Sequence, residues 1–151
     1  MKILMVCLGN ICRSPLAEGI LKEKIKAKNL DWTVDSAGTG SWHVGDTPDP
    51  RSIAVAATHG LDITTQRGRQ LKRADLENYD LIFAMDSSNY QNILMLASSD
   101  AQREKVQLIM NMEKPGYNQN VPDPYYGDDG FEEVYQMLDR ACTAIIEKYG
   151  A

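Results

Sequence analysis

The chain has 151 residues, 43% hydrophobic and 25% charged, the size and balance of one globular domain spanning 1–151. Sixteen basic against twenty-one acidic residues leave a net charge of −5, which argues against nucleic acid or an acidic membrane surface as partner, so any anion must be captured locally. Three cysteines, Cys7, Cys12 and Cys142, are odd in number and lack zinc-type spacing, which points to free thiols rather than a disulfide scaffold or a structural metal site.

The first residues are apolar after Lys2, but Gly9, Asn10 and Arg13 interrupt too soon for a signal h-region or a membrane span, so a cytoplasmic location is expected. Residues 2–7 read as a short buried strand. After residues 8–14 comes Pro15, at home in the first turn of a helix whose apolar positions are Leu16, Ile20, Leu21 and Ile25. A second strand is expected at 32–36, a glycine-rich irregular stretch from 37, and a helix over 51–59 stopped by Gly60. The apolar run 80–85 predicts a third strand, followed by a helix to about residue 96, and 106–110 predicts a fourth. Residues 130–149 form a long amphipathic pattern with Phe131, Val134, Met137, Leu138, Ala141, Ile145 and Ile146 on one face. Continuous apolar strands alternating with helices imply a doubly wound α/β domain, a parallel sheet covered on both faces. Ligands in such a fold bind beyond the carboxyl ends of the strands, which directs attention to residues 8–14.

There Cys7 ends a strand and Arg13, separated from it by five residues, begins a helix. The interval is long enough for the backbone to turn once around a tetrahedral anion, its N–H groups forming a nest above a helix N-terminus. Gly9 and Asn10 are residue types that tolerate the left-handed dihedrals of such a wrap, and the planar fork of Arg13 can bond two phosphoryl oxygens at once. A thiol at a helix N-terminus beside a guanidinium is acidified, and the Ser14 hydroxyl can add a hydrogen bond to the sulfur. An unperturbed thiol is already about 3% ionised at pH 7, so full ionisation gains at most about thirtyfold; positioning and stabilisation of the equatorial oxygens must supply more. A lone strand-end cysteine is usually core; the arginine at this spacing reverses that reading. A phenolic leaving group also needs a proton donor, for which Asp123, between Pro122 and Pro124, is the candidate, with Tyr125 or Tyr126 lining a wall for a substrate ring.

These segments closely resemble the low-molecular-weight protein tyrosine phosphatases over the whole chain. The likeness rests on the run from Cys7 to Pro15, on Asp35-Ser36-Ala37-Gly38, His59-Gly60 and Ala84-Met85-Asp86, and on Asp123-Pro124-Tyr125-Tyr126-Gly127. It implies a four-stranded parallel sheet of order 2-1-3-4, a cysteinyl-phosphate intermediate, phosphotyrosine proteins as substrates with inorganic phosphate as product, and no metal or cofactor. It implies Cys7 as nucleophile, Arg13 as phosphate clamp and Asp123 as acid and then base, with Leu8, Gly9, Ile11, Cys12 and Ser14 around the phosphate. Asn10, Ser36 and His59 match positions that support the loop through hydrogen bonds, although His59 before Gly60 reads equally as an ordinary helix-end residue. Trp42 matches a variable wall position and reads equally as an aromatic pinning a glycine-rich loop. Cys12 matches a second loop cysteine able to pair with Cys7 on oxidation.

Three other readings use the same pattern. A thioredoxin-coupled arsenate reductase needs further cysteines in mid-chain, and none stands between Cys12 and Cys142. The protein arginine phosphatase carries threonine where this chain has Ile11, whose apolar side chain favours an aromatic substrate. A non-catalytic phosphate-binding module would need neither Cys7 nor Asp123.

Overall fold

The structure, a computed structural model, describes residues 1–126 and 130–150, and at Tyr126 the backbone only. Four parallel strands, β1 (Lys2–Cys7), β2 (Thr33–Gly38), β3 (Leu81–Ala84) and β4 (Val106–Leu108), lie in the order β2-β1-β3-β4, as the resemblance implied. The central strand β1 pairs on both sides, Ile3 with Val34 and Leu81, Val6 with Ala37 and Ala84, and Cys7 ends opposite Gly38. Strand side chains alternate between faces. Ile3, Met5 and Cys7 therefore join one core with α1 (Arg13–Ala27), α2 (Pro50–Thr58) and α6 (Phe131–Tyr149), while Leu4 and Val6 join a second with Leu76 of α3 (Asp75–Asn78) and Ile93 of α4 (Ser87–Leu94). The sheet is covered on both faces, which is why its strands are continuous apolar runs.

All seven residues expected on the inner face of α6 are buried, together with Tyr135 and Cys142. Truncating one such fully buried side chain, for example Leu138→Ala, costs about 2–5 kcal/mol. The structure departs from the sequence reading at element ends. β2 runs on through Ala37 and Gly38, β3 is shorter than expected, β4 gives way at Ile109 to a 3-10 turn, and α4 stops at Leu94. Two helices were not foreseen, α3 and α5 (Asp100–Glu104), because four or five residues are too few to display a helical period.

Two aspartates set helix starts beside the sheet's carboxyl edge. Asp49 caps α2, its Oδ1 accepting from Arg51 N at 2.8 Å ahead of Pro50, and Asp86 caps α4, its Oδ1 accepting from Asn89 N at 2.8 Å. Among the described residues no helix is long and apolar enough to cross a membrane.

Candidate active site

The loop between β1 and α1 is shaped by what its carbonyls bind. The carbonyl of Cys7 accepts from Thr39 N at 2.9 Å, that of Leu8 from Gly40 N at 2.9 Å, that of Ile11 from Asp49 N at 2.8 Å, and that of Cys12 from Ser52 Oγ at 3.3 Å. In a trans peptide the N–H points away from its own C=O. The N–H groups of Leu8, Gly9, Cys12 and Arg13 are therefore turned to the other, concave side. Donors so arranged above the first turn of α1, whose N-cap Cys12 makes no side-chain capping bond, have the geometry of an anion-binding nest.

Behind the nest Asn10 holds the turn. It adopts φ 58°, the left-handed region an asparagine tolerates, and its side chain is fully used: Nδ2 donates to Ser14 Oγ (2.8 Å) and Ser36 Oγ (3.0 Å), and Oδ1 accepts from Arg69 N (3.0 Å). Ser36 Oγ in turn donates a hydrogen bond to Glu18 Oε1 at 2.6 Å. Since the Ser14 hydroxyl accepts from Asn10, its single proton is available to the Cys7 sulfur 2.9 Å away, which also accepts from Asn10 N at 3.3 Å. Gly9 serves differently from expectation. Its φ is not positive, so it supplies no left-handed turn; a Cβ there would lie 3.2 Å from the His43 ring, which would have to shift by a few tenths of an ångström.

Arg13 is almost wholly buried, with 2% of its side chain exposed. Its Nη1 donates to Asp86 Oδ2 (2.7 Å) and to the carbonyl of Val121 (2.9 Å), and its Nη2 lies 3.6 Å from Asp123 Oδ2. Burial works against the guanidinium charge, but Cys7, Asp86 and Asp123 outweigh it and hold the pKa above its ordinary value. Asp123 Oδ1 accepts from Tyr125 N at 3.0 Å, and Val121 N donates to the Met85 carbonyl at 2.8 Å, anchoring this loop to the end of β3. The cleft between the two loops has a volume of about 280 Å³ and is lined by Cys7, Leu8, Gly9, Ile11, Cys12, Arg13, Trp42, His43, Asp123 and Tyr125.

The cleft thus gathers most of the residues singled out from the sequence, with Asn10, Ser14 and Ser36 directly behind it. His59 is the correction. It caps the end of α2, bonds Glu132 through Nε2 (2.8 Å) and stacks on Tyr135 with ring centroids 3.9 Å apart, so it buttresses α6 rather than the loop. The support expected of it comes from Arg69 and Glu18. Trp42 lines the cleft, 71% exposed rather than partly buried, and its indole lies so close over Gly40 that a Cβ there would fall 2.0 Å from the ring. The side chain of Tyr126 lies outside the described residues.

Residues 2–150 match the family model described as low molecular weight phosphotyrosine protein phosphatase. The chain belongs to this family. It is 45% identical over 143 residues to the low molecular weight phosphotyrosine protein phosphatase of Schizosaccharomyces pombe, covering 91% of this chain and 90% of that one. Among solved structures, a protein tyrosine phosphatase from Entamoeba histolytica superposes with a TM-score of 0.93 at 38% identity, covering 99% of this chain and 97% of that one. A drosophila arginine phosphatase superposes nearly as well, with a TM-score of 0.92 at 37% identity, covering 100% and 99%. Overall likeness to members of the low molecular weight phosphatase family therefore does not separate tyrosine from arginine substrates; the cleft walls must.

Residues beyond the sequence reading complete the site. Asp86 divides its carboxylate between the cap of α4 and Arg13. Asp49 pairs with Arg51 through two bonds of 3.0 Å, and Arg51 lies over the rings of Tyr125 and Phe131. Both aspartates carried a sequence signal, a helix cap directly after a strand or before a proline, but nothing in sequence tied either to the loop. Burial and then the charge of Asp49, with Cys7 and Asp123 adding, push the Cys12 thiol up to about 12, against a weaker opposing bond from Ser52. Among the described residues no group of three or more His, Cys, Asp or Glu is placed to hold a metal.

Proposed function

We propose that this protein is a cysteine-dependent phosphatase of protein phosphotyrosine, working in the cytoplasm through a cysteinyl-phosphate intermediate. The observation that carries the reading is that Cys7, Arg13 and Asp123 line one cleft, with Arg13 Nη2 3.6 Å from Asp123 Oδ2 and the Cys7 sulfur accepting from Asn10 N at 3.3 Å.

In the first step the Cys7 thiolate attacks phosphorus in line, the bond from phosphorus to the phenolic oxygen breaks, and Asp123 delivers its proton to that oxygen. The loop N–H groups and Arg13 stabilise the three equatorial oxygens. In the second step Asp123 takes a proton from water, whose oxygen attacks phosphorus; the S–P bond breaks, Cys7 recovers its electron pair and inorganic phosphate leaves. Ser14, donating to sulfur, favours that departure.

The aliphatic Ile11 on the cleft wall supports an aryl ester over a guanidinium phosphoramidate, whose charge it would leave without a partner, whereas the rings of Trp42 and Tyr125 could receive either. The decisive experiment compares phosphotyrosyl and phosphoarginyl peptides of one sequence and quenches a single turnover in acid. Expected are faster turnover of the phosphotyrosyl peptide and label on Cys7. A preference for phosphoarginine removes the tyrosine assignment, and label absent from Cys7 at every time point removes the covalent intermediate.

A further inference from the structure

Beside the cleft runs a second groove of about 360 Å³ whose walls include Leu8, Gly40, Trp42, Leu71, Met95 and Leu96. Leu8 and Trp42 line both spaces, so the indole is the partition between them. Trp42 is 71% and Met95 76% exposed, with Leu8 beside them at 36%. Exposed large apolar side chains that converge on one groove mark a contact surface, and methionine adapts to varied partners. The remaining lining, Thr39, Gln70 and Asn92, carries no ionisable group, so the groove suits an uncharged occupant.

Building on the phosphotyrosine reading above, we propose that this groove is a specificity subsite that receives an apolar side chain two residues from the phosphotyrosine of a substrate peptide. The spacing follows from geometry. With the phosphorylated ring in the cleft and the peptide extended across the rim, the neighbouring side chains point away from the protein. Those two positions along return to the same face about 7 Å from the first. That distance carries a side chain over the indole partition and down its far side. The volume accepts leucine, methionine or phenylalanine. Continuity with the cleft, through two shared residues, favours a substrate peptide over any unrelated partner.

The test measures kcat/KM on phosphotyrosyl peptides in an alanine background, with a single leucine at −2, −1, +1 or +2, for the full chain and for Met95→Asp. Met95 lies at the end of α4, is largely exposed and does not line the cleft that holds Cys7, Arg13 and Asp123, so the variant folds and hydrolyses phenyl phosphate as the parent does. Leucine at one of the two positions ±2 is expected to raise kcat/KM about 3- to 10-fold, as for partial burial of one apolar side chain, and Met95→Asp abolishes the gain. No gain at ±2, a gain only at ±1, or a gain that survives Met95→Asp overturns the proposal. So does a dimer in sedimentation that Met95→Asp dissolves, since the groove would then receive a second copy. Failure of the parent to hydrolyse phenyl phosphate would instead remove the phosphatase reading on which the subsite rests.

Discussion

Arg51 Nη2 donates to the carbonyl oxygen of Tyr125 at 3.1 Å, joining the start of α2 to the loop that carries Asp123. The same guanidinium pairs with Asp49, whose backbone N–H bonds the Ile11 carbonyl of the phosphate loop. A continuous chain of bonds therefore sets the distance between the Cys7–Arg13 loop and Asp123. Arg51 holds Asp49 below the usual carboxylate range despite opposing burial, so the link is intact at neutral pH and fails only as pH falls below that range. Asp123→Ala should lower turnover of phenyl phosphate by ~10² to 10⁴ and of an aryl phosphate with a strongly acidic phenol much less. Arg51→Met should show the same dependence on leaving group with a smaller loss, at most about 10²-fold, and little change in KM. Equal losses across a leaving-group series for Asp123→Ala would make that residue structural.

Asp86 and Val121 aim Arg13 from behind, and on the proposed mechanism the fork, not the charge alone, holds the phosphoryl group. Arg13→Lys should lose ~10² to 10³ in kcat/KM, because a point charge cannot bond two oxygens in the plane of the phosphoryl group. Asp86→Asn should cost roughly tenfold and weaken inhibition by phosphate, while leaving the α4 cap in place. Near-normal kcat/KM in Arg13→Lys would reduce Arg13 to a helix-start residue.

Thiol chemistry should discriminate sharply among the three cysteines. Cys12 and the fully buried Cys142 are both pushed up to about 12 by burial, with the charge of Asp49 second at Cys12, so below that pH each is a thiol and a poor nucleophile. Iodoacetamide at pH 7 should modify Cys7, with phosphate protecting it, and spare the other two. A thiol pKa raised by folding adds stability that is complete below the unfolded value near 8.5 and lost as pH rises through the folded one. Thermal stability should accordingly fall from about pH 9 towards 12. Labelling of Cys12 at pH 7, or a melting temperature flat across that range, would contradict these assignments.

Cleft depth predicts selectivity. Cys7 lies at the end of a buried strand, with 2% exposure, and on the proposed reading a tyrosyl ring would reach it from the rim while packing against Trp42 and Tyr125. Phosphotyrosyl peptides should be hydrolysed much faster than phosphoseryl peptides of the same sequence, and Trp42→Ala should raise KM for aryl substrates more than it lowers kcat. Comparable rates on both peptides would defeat the tyrosine preference.

The sequence by itself determined the architecture and pointed to the candidate reacting groups, because both are written in local patterns. Buried parallel strands are continuous apolar runs, as at 2–7 and 80–85, and a nest needs Cys7 and Arg13 at one fixed interval between a strand and a helix. Element ends were less legible: Ala37 and Gly38 extend β2 only because β1 pairs with them, and α3 and α5 are too short to show a period. What tertiary structure alone decided is which distant residues stand behind the loop. His59 and Arg69 flank the same turn region, yet folding sends His59 to Glu132 and Tyr135, whereas the backbone N–H of Arg69 reaches Asn10. Asp86 bonds Arg13 across 73 residues, and Val121 across 108. Such pairings are set by strand order and by how helices stack on the sheet, and they leave no periodic trace along the chain.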